Sequence, residues 1–210
     1  RIALMWLDSS RLRFRFVPGW KVPVPGGPAT SADRTPSTWK AQMVAAFNGG
    51  FLLKDAGVGY YYLGKTLKPL QRNYAAIVTY TDGSLRVGIW GRDVTMTTQV
   101  VAVRQNLQPL VDRGVCLARM SDPWFRWGAT DNHNPTAKRS ALGWRSDGSL
   151  VFGFGDMVSG LDLCRAMVAS RVTTALVLDL NQSWPTGFTY YHQGSTIHGA
   201  RIHPAIQRDP

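Results

Sequence analysis

Two stretches of the chain share one pattern, in which an apolar run leads into Asp-Gly-Ser-Leu and a second apolar run follows. The first stretch covers residues 76–85 and the second covers residues 141–150. Asp-Gly suits the positive φ angles of tight hairpin turns, so each stretch predicts a β-hairpin. Two copies do not make a solenoid, and we interpret them as equivalent pieces of one sheet system or as a duplicated core.

The first 36 residues predict another hairpin and then a loop. Residues 2–7 and 12–17 have the composition of strands, and the turn-forming Asp8-Ser9-Ser10 lies between them. Residues 18–36 are rich in Pro, Gly, Ser and Thr, which disfavours a regular hydrogen-bond ladder. We therefore expect a long surface loop there.

Three segments have features of helices, namely residues 37–43, 97–111 and 161–170. Residues 174–178 are uniformly apolar apart from their first residue and predict a buried strand. Together with the hairpins, these segments predict an α+β fold. We expect a single domain over residues 1–210, with mixed, largely antiparallel sheets built from β-hairpins and a few packed helices.

The amino-acid composition limits which functions the chain can have and which residues can carry them. A hydrophobic content of 44% argues against disorder, and the formal charge of +11 favours either an anionic partner or an ordinary solvated surface. The basic residues are scattered, and no zinc knuckle, RNP-like strand or Lys/Arg helix is present, so nucleic-acid binding ranks last among the functions considered. All 13 acidic residues are Asp, so any carboxylate chemistry must use Asp.

Two apolar runs lead directly into polar or glycine residues. Residues 45–47 precede Asn48-Gly49-Gly50-Phe51, and residues 175–178 precede Asp179. Polar groups at strand ends commonly form sites on a rigid scaffold, and paired glycines let a ligand approach the backbone. Each feature predicts either part of a functional site or an ordinary turn.

A resemblance rests on the order of several motifs. They are Asn48-Gly49-Gly50-Phe51, Gly64-Lys65 with Arg72-Asn73, Arg139-Ser140-Ala141-Leu142-Gly143 before Asp147-Gly148, and Leu178-Asp179 with Ser183. In this order, over residues 44–191, the chain resembles the bacterial exported branch of the phosphodiester glycosidase family. The resemblance implies a secreted or cell-envelope hydrolase without a cofactor. Its substrate would be a sugar-phosphate, meaning a glycosyl phosphodiester, or an anionic cell-wall glycan.

The chain departs from the family at its most characteristic stretch. The family usually has Leu-Asp-Gly-Gly-Gly-Ser-Ser, whereas this chain has Leu178-Asp179-Leu180-Asn181-Gln182-Ser183-Trp184. The backbone must approach a ligand differently there. The alternative function is therefore a non-catalytic carbohydrate- or envelope-binding module of the same fold.

The resemblance implies three catalytic residues, Asp179, Arg139 and Asn48, which we expect to converge on one cleft. Asp179 would act as base or nucleophile or stabilise positive charge, unless it only ties the following loop. Arg139 would clamp the phosphate, unless it is a solvent-exposed residue at a strand edge. Asn48 would orient sugar hydroxyls, unless the segment is a structural turn.

The predicted substrate-binding residues surround these three. They are Gly49, Gly50, Arg72, Ser140, Asn181, Gln182, Ser183, Asp131 and His133. Asp131 and His133 could supply a second acid–base group or a metal ligand, or belong to an ordinary loop. We predict no metal site, and a centre built on thiolates is disfavoured because the two cysteines are far apart and lack clustered ligands.

Cys116 and Cys164 are expected to form one disulfide in an exported protein, with two buried free thiols as the alternative. No stretch approaches the roughly 18 apolar residues of a membrane span, and a signal pattern is absent at Arg1. We therefore expect no transmembrane segment and a mature or trimmed chain.

Overall fold

Antiparallel strands make up most of the computed structural model, which describes residues 1–18, 37–52, 55 and 57–210. Two helices are assigned in that part of the chain, α1 (Ser37–Lys40) and α2 (Gly160–Ala169). The strands are β1 (Ile2–Leu7), β2 (Ala45–Phe47), β3 (Tyr60–Tyr62), β4 (Lys65–Lys68), β5 (Ala75–Tyr80), β6 (Leu85–Ile89), β7 (Val100–Gln105), β8 (Val111–Asp112), β9 (Val115–Cys116), β10 (Ala137–Arg145), β11 (Leu150–Val158), β12 (Val172–Leu180), β13 (Gly187–Gln193) and β14 (Thr196–Arg201).

The strands form three sheets. The six-stranded sheet has the order β1-β11-β10-β12-β8-β9, the five-stranded sheet β4-β3-β7-β5-β6, and the three-stranded sheet β14-β13-β2. The prediction of hairpin-built antiparallel sheets is confirmed. The α+β class is corrected to mainly β, because only α2 is longer than a single turn among the described helices.

The two Asp-Gly hairpins are confirmed, and they belong to different sheets. The first joins β5 to β6 through Gly83, and the second joins β10 to β11 through Gly148. Both glycines have positive φ angles, of 80° and 85°, which a residue with a side chain rarely adopts. The repeated sequence motif therefore marks one equivalent turn in each of the two large sheets.

Two predicted elements are wrong. Residues 97–111 contain strand β7 instead of a helix, because β7 is buried on both faces between β3 and β5 and so lacks an alternating pattern. Residues 12–17 form no strand, and β1 pairs with β11 instead. The loop predicted over residues 18–36 lies outside the described residues except for Pro18.

The helix predicted over residues 161–170 is confirmed as α2, which begins with a capping box between Ser159 and Asp162. The helix predicted over residues 37–43 is shorter, since α1 ends at Lys40. A disulfide joins Cys164 of α2 to Cys116 of β9, with the Cα atoms 5.7 Å apart, which confirms the predicted pairing. Within the described part of the chain, neither helix has the length and apolar character that crossing a bilayer requires.

The six-stranded sheet buries a different core on each face. Its inner face packs Leu142, Leu176 and Leu178 against Ile77 and Val87 of the five-stranded sheet. Its outer face packs other residues, Ala141, Ala175 and Val177 among them, against α2. Since side chains alternate along a strand, the face on which a residue lies decides whether it reaches the space between the sheets.

Candidate functional site

A β-bulge brings Asp179 to the inner face of the six-stranded sheet. Ser140 pairs with Asp179, but the next residue of β10, Ala141, pairs with Val177, so Leu178 is an extra residue in β12. Regular alternation would put Asp179 on the outer face with Val177. The bulge places it opposite Ser140, which shares the inner face with Leu142, and bulges commonly redirect side chains in this way.

Asn106 holds this bulge from the neighbouring sheet. Its buried Nδ2 donates to the carbonyl oxygens of Val177 and Leu178, both at 2.9 Å. Its Oδ1 accepts a hydrogen bond from Phe51 N at 3.3 Å. Gly50 has a φ of 132°, and a Cβ there would lie 2.6 Å from Asn106 Oδ1, so glycine is required at this close approach. Asn106 thus fastens the Asn48–Phe51 segment to the end of β12.

Asn48 lies directly beside the Asp179 strand end. Its Oδ1 accepts hydrogen bonds from Ser140 Oγ and from Thr186 N, both at 3.1 Å. Ser140 Oγ also lies 3.4 Å from the carbonyl oxygen of Asp179. Asn48 Nδ2 is buried and has no hydrogen-bond partner among the described residues. The structure therefore brings Asn48, Ser140 and Asp179 together and leaves one amide donor open.

Asp179 is 9% exposed, and its Oδ1 accepts a hydrogen bond from Leu180 N at 2.8 Å. Burial, which penalises the charged form, raises the pKa of Asp179 to about 7. The charge of the exposed Asp55 raises it further, whereas the Leu180 hydrogen bond, Arg104 and Arg208 lower it. Asp179 can therefore hold or release a proton near neutral pH.

Arg104 and Tyr60 complete the site from the five-stranded sheet. They pair across β3 and β7, and the Arg104 guanidinium lies 4.6 Å from the centroid of the Tyr60 ring. Arg104 Nη2 donates to Phe51 O at 2.6 Å. Burial lowers the pKa of Arg104, while Tyr60 and Asp179 raise it. Burial also raises the pKa of Tyr60 to about 12, so its hydroxyl keeps its proton.

The sequence predictions missed Arg104 and Tyr60, although a signal for Arg104 was present. The polar run Arg104-Gln105-Asn106 directly follows the apolar residues 100–103. This is the same pattern that identified Asn48 and Asp179 as strand-end residues. The incorrect helix prediction over residues 97–111 hid it.

The structure does not bring Arg139 to this site. Arg139 pairs with Leu180 on the outer face, one residue away from the Ser140–Asp179 pair. Its guanidinium donates to the carbonyl oxygens of Val158, Trp127 and Pro135 at 3.1, 2.6 and 3.1 Å. Burial lowers the pKa of Arg139 to about 10. The expected phosphate clamp is therefore corrected to a buried residue that ties three backbone segments together.

Leu180 and Asn181, the first two residues after Asp179, make their contacts away from the site. Leu180 is buried, and its side chain occupies the position that a Cβ on Gly128 would take. Asn181 has a φ of 74°, its Oδ1 accepts from Asp131 N at 3.3 Å, and its Nδ2 donates to Ala129 O. Ser183 Oγ donates to Gln207 at 3.2 Å. These contacts hold the loop against neighbouring surface segments.

The remaining predicted binding residues lie in other places. Asp131, Asn181 and Gln182 line a separate cavity of about 260 Å³. His133 stacks on Trp124, with ring centroids 4.4 Å apart, and Arg72 Nη2 donates to Gly91 O at 3.3 Å. Gly49 and Gly50 directly follow Asn48 and belong to the same segment of the site. Among the described residues, no three His, Cys or Asp side chains gather as metal ligands do.

Comparison with known proteins gives distant structural similarities. No family model matches the chain, and no curated protein matches its sequence. The catalytic domain of zebrafish N-acetylglucosamine-1-phosphodiester alpha-N-acetylglucosaminidase, auto-inhibited by its pro-peptide, is similar with a TM-score of 0.48 and 17% identity. The match covers 70% of this chain and 54% of that one.

A hypothetical protein from Synechocystis is also similar, with a TM-score of 0.37 and 11% identity over 89% of this chain and 52% of that one. The chain thus spans about half the length of each of these structures. The geometry of the Asp179 site carries the functional conclusion.

Proposed function

We propose that the chain is a hydrolase that cleaves glycosyl phosphodiesters, with Asp179 as its general base. The observation that carries this proposal is the buried Asp179, whose backbone carbonyl lies beside the Asn48–Ser140 pair and whose carboxyl group lies within electrostatic reach of Arg104. The order of motifs that resembles the phosphodiester glycosidase family supports the same substrate class.

The reaction divides naturally between these residues. The bond between the anomeric carbon and the phosphate oxygen breaks, and its electron pair stays on the oxygen. Water adds to the oxocarbenium-like carbon, and the Asp179 carboxylate takes its proton. The products are a free sugar and a phosphate monoester. Because the phosphate leaves as a stable anion, a fixed positive group matters more than protonation of the leaving oxygen.

A base with a pKa near the working pH is well matched to this task, since it is deprotonated often enough and still accepts a proton readily. Burial raises the pKa of Asp179 to about 7, which meets that requirement. Glycosidases commonly use two carboxylates. Asp55, whose charge acts on Asp179, is the candidate for the second carboxylate.

Asn48 and its glycine neighbours would position the sugar. The open Nδ2 donor of Asn48 is suited to a sugar hydroxyl, while Ser140 fixes the amide through Oδ1. The exposed Gly49 has no side chain to obstruct a ring. The disulfide between Cys116 and Cys164 supports the proposal that the protein works outside the cytosol, where such bonds persist.

The direct test is incubation of the purified chain with synthetic glycosyl phosphodiesters that carry different sugars, with cell-wall polymers alongside. Released reducing sugar and phosphate monoester are both quantified, and the expected result is equimolar release from at least one phosphodiester. Saturable binding of these ligands without release would contradict the hydrolase and favour the carbohydrate-binding module. Neither binding nor release would contradict both functions.

A further inference from the structure

The side chains near Asp179 include a buried hydroxyl with no hydrogen-bond partner among the described residues, and a buried cation. The Tyr60 hydroxyl has no hydrogen-bond partner among the described residues, although the side chain is only 4% exposed. Arg104 is 6% exposed, and the described residues give its guanidinium one carbonyl acceptor, Phe51 O. A buried donor without a partner costs about 1–3 kcal/mol, so such groups in a native protein require an explanation.

Tyr60 and Arg104 lie on the same face of the five-stranded sheet. Tyr60 and Arg104 lie opposite each other in β3 and β7, and Arg104 lies opposite Ile77 in β5. Ile77 belongs to the core between the two large sheets, so this row of residues points toward the six-stranded sheet. Asp179 of β12 lies within electrostatic reach of Arg104, and the Phe51 carbonyl accepts a hydrogen bond from Arg104.

Among the described residues, the charge of Arg104 is not fully balanced. Arginine keeps its proton in proteins, so the buried Arg104 stays cationic. Asp179 is the acidic residue whose charge acts on Arg104, and burial raises its pKa to about 7, which leaves it only partly ionised at neutral pH. A buried cation that lacks a full counter-charge favours binding of an anion.

We infer that Arg104 and Tyr60 form the phosphoryl-binding subsite of the proposed hydrolase. A phosphoryl group offers several acceptor oxygens, which suit a guanidinium fork and a neighbouring hydroxyl donor. This assignment rests on the proposed function for the identity of the anion. It gives Arg104 the role that the sequence resemblance gave to Arg139.

Binding of inorganic phosphate, measured by isothermal titration at constant ionic strength, tests the subsite without any turnover. We expect wild type to bind phosphate and Tyr60→Phe to bind it about 10-fold more weakly, since one hydrogen bond to a charged group is lost. Tyr61→Phe is the matched control, because Tyr61 packs with the core on the opposite face of its sheet. Its affinity should equal that of wild type.

Thermal midpoints separate this role from a packing role. Tyr60→Phe removes an unpartnered buried hydroxyl, so its midpoint without phosphate should equal or exceed that of wild type. Phosphate should raise the midpoint less in this variant than in wild type. No measurable phosphate binding by wild type, or equal affinity in wild type and Tyr60→Phe, would overturn the subsite.

The two proposals fail in distinguishable ways. Tyr60-dependent phosphate binding by a protein that cleaves no phosphodiester supports the subsite and contradicts the hydrolase. If wild type hydrolyses a phosphodiester and Tyr60→Phe binds phosphate as tightly as wild type does, the hydrolase is supported and the subsite is contradicted.

Discussion

Arg104 and Arg139 are both buried arginines near a strand end, yet their surroundings differ. Arg139 donates to three backbone carbonyls on the outer face of the six-stranded sheet. Arg104 donates to one carbonyl among the described residues and lies against Tyr60 and near Asp179. Burial alone therefore does not distinguish the two arginines, whereas their hydrogen-bond partners among the described residues do.

The largest expected effect comes from replacing each arginine with methionine. Arg139→Met leaves three carbonyls without donors, which should lower the free energy of unfolding by at least about 3 kcal/mol. Arg104→Met leaves one carbonyl and removes an unbalanced charge, so its stability should change much less. Urea denaturation of both variants measures the difference, and equal losses would remove the distinction between the two arginines.

The pH dependence of stability tests whether Asp179 balances the charge of Arg104. Its folded-state pKa, raised to about 7, lies above the ordinary value of 3.8. The folded state therefore keeps a proton between about pH 4 and 7 that the unfolded state has released, so this stabilising contribution is complete below pH 4 and disappears as pH rises to 7.

Across that window, the stability of wild type should fall relative to Asp179→Asn with a slope approaching about 1.4 kcal/mol per pH unit. Urea midpoints at several pH values supply the slope, and Asp156→Asn, at a half-exposed carboxylate on β11, should follow wild type. Parallel curves for wild type and Asp179→Asn would mean that Asp179 is ionised throughout. The Asp179 carboxylate would then balance the charge of Arg104, and Arg104 would no longer differ from Arg139 in needing an anionic ligand.

A smaller effect is expected from Asn106→Leu, which removes the amide that holds the bulge carbonyls of Val177 and Leu178. Turnover should fall about 10-fold as Asp179 becomes less well positioned. Gln105→Leu is the matched control, since the buried Gln105 amide binds the backbone of Gln71 instead. The control should lose stability and keep its turnover per folded molecule. Equal turnover losses would contradict a positioning role for Asn106.

The sequence was sufficient to predict those elements that are determined by residues close together in the chain. The Asp-Gly turns predicted the β5–β6 and β10–β11 hairpins, and Ser159 with Asp162 suits the start of α2. Asn48 and Asp179 were identified because each follows an apolar run, and the structure places both at one site. Such signals depend on neighbours within a few residues.

The rest depended on pairing between distant strands. The bulge at Leu178 exists only relative to β10, and without it regular alternation assigns Asp179 to the face of Val177. The same register sends Arg139 outward, which no local pattern reveals. β7 is buried on both faces, so its apolar spacing suggested a helix and concealed Arg104.

The role of Asp179 as general base is tested most directly by hydrolysis of a glycosyl phosphodiester by wild type, Asp179→Asn and the control Asp156→Asn. Asparagine keeps the shape of aspartate but cannot take a proton from water. We expect kcat/KM to fall by roughly 100-fold or more in Asp179→Asn, equivalent to about 3 kcal/mol of transition-state stabilisation, while Asp156→Asn matches wild type. Undiminished turnover in a folded Asp179→Asn would contradict that role.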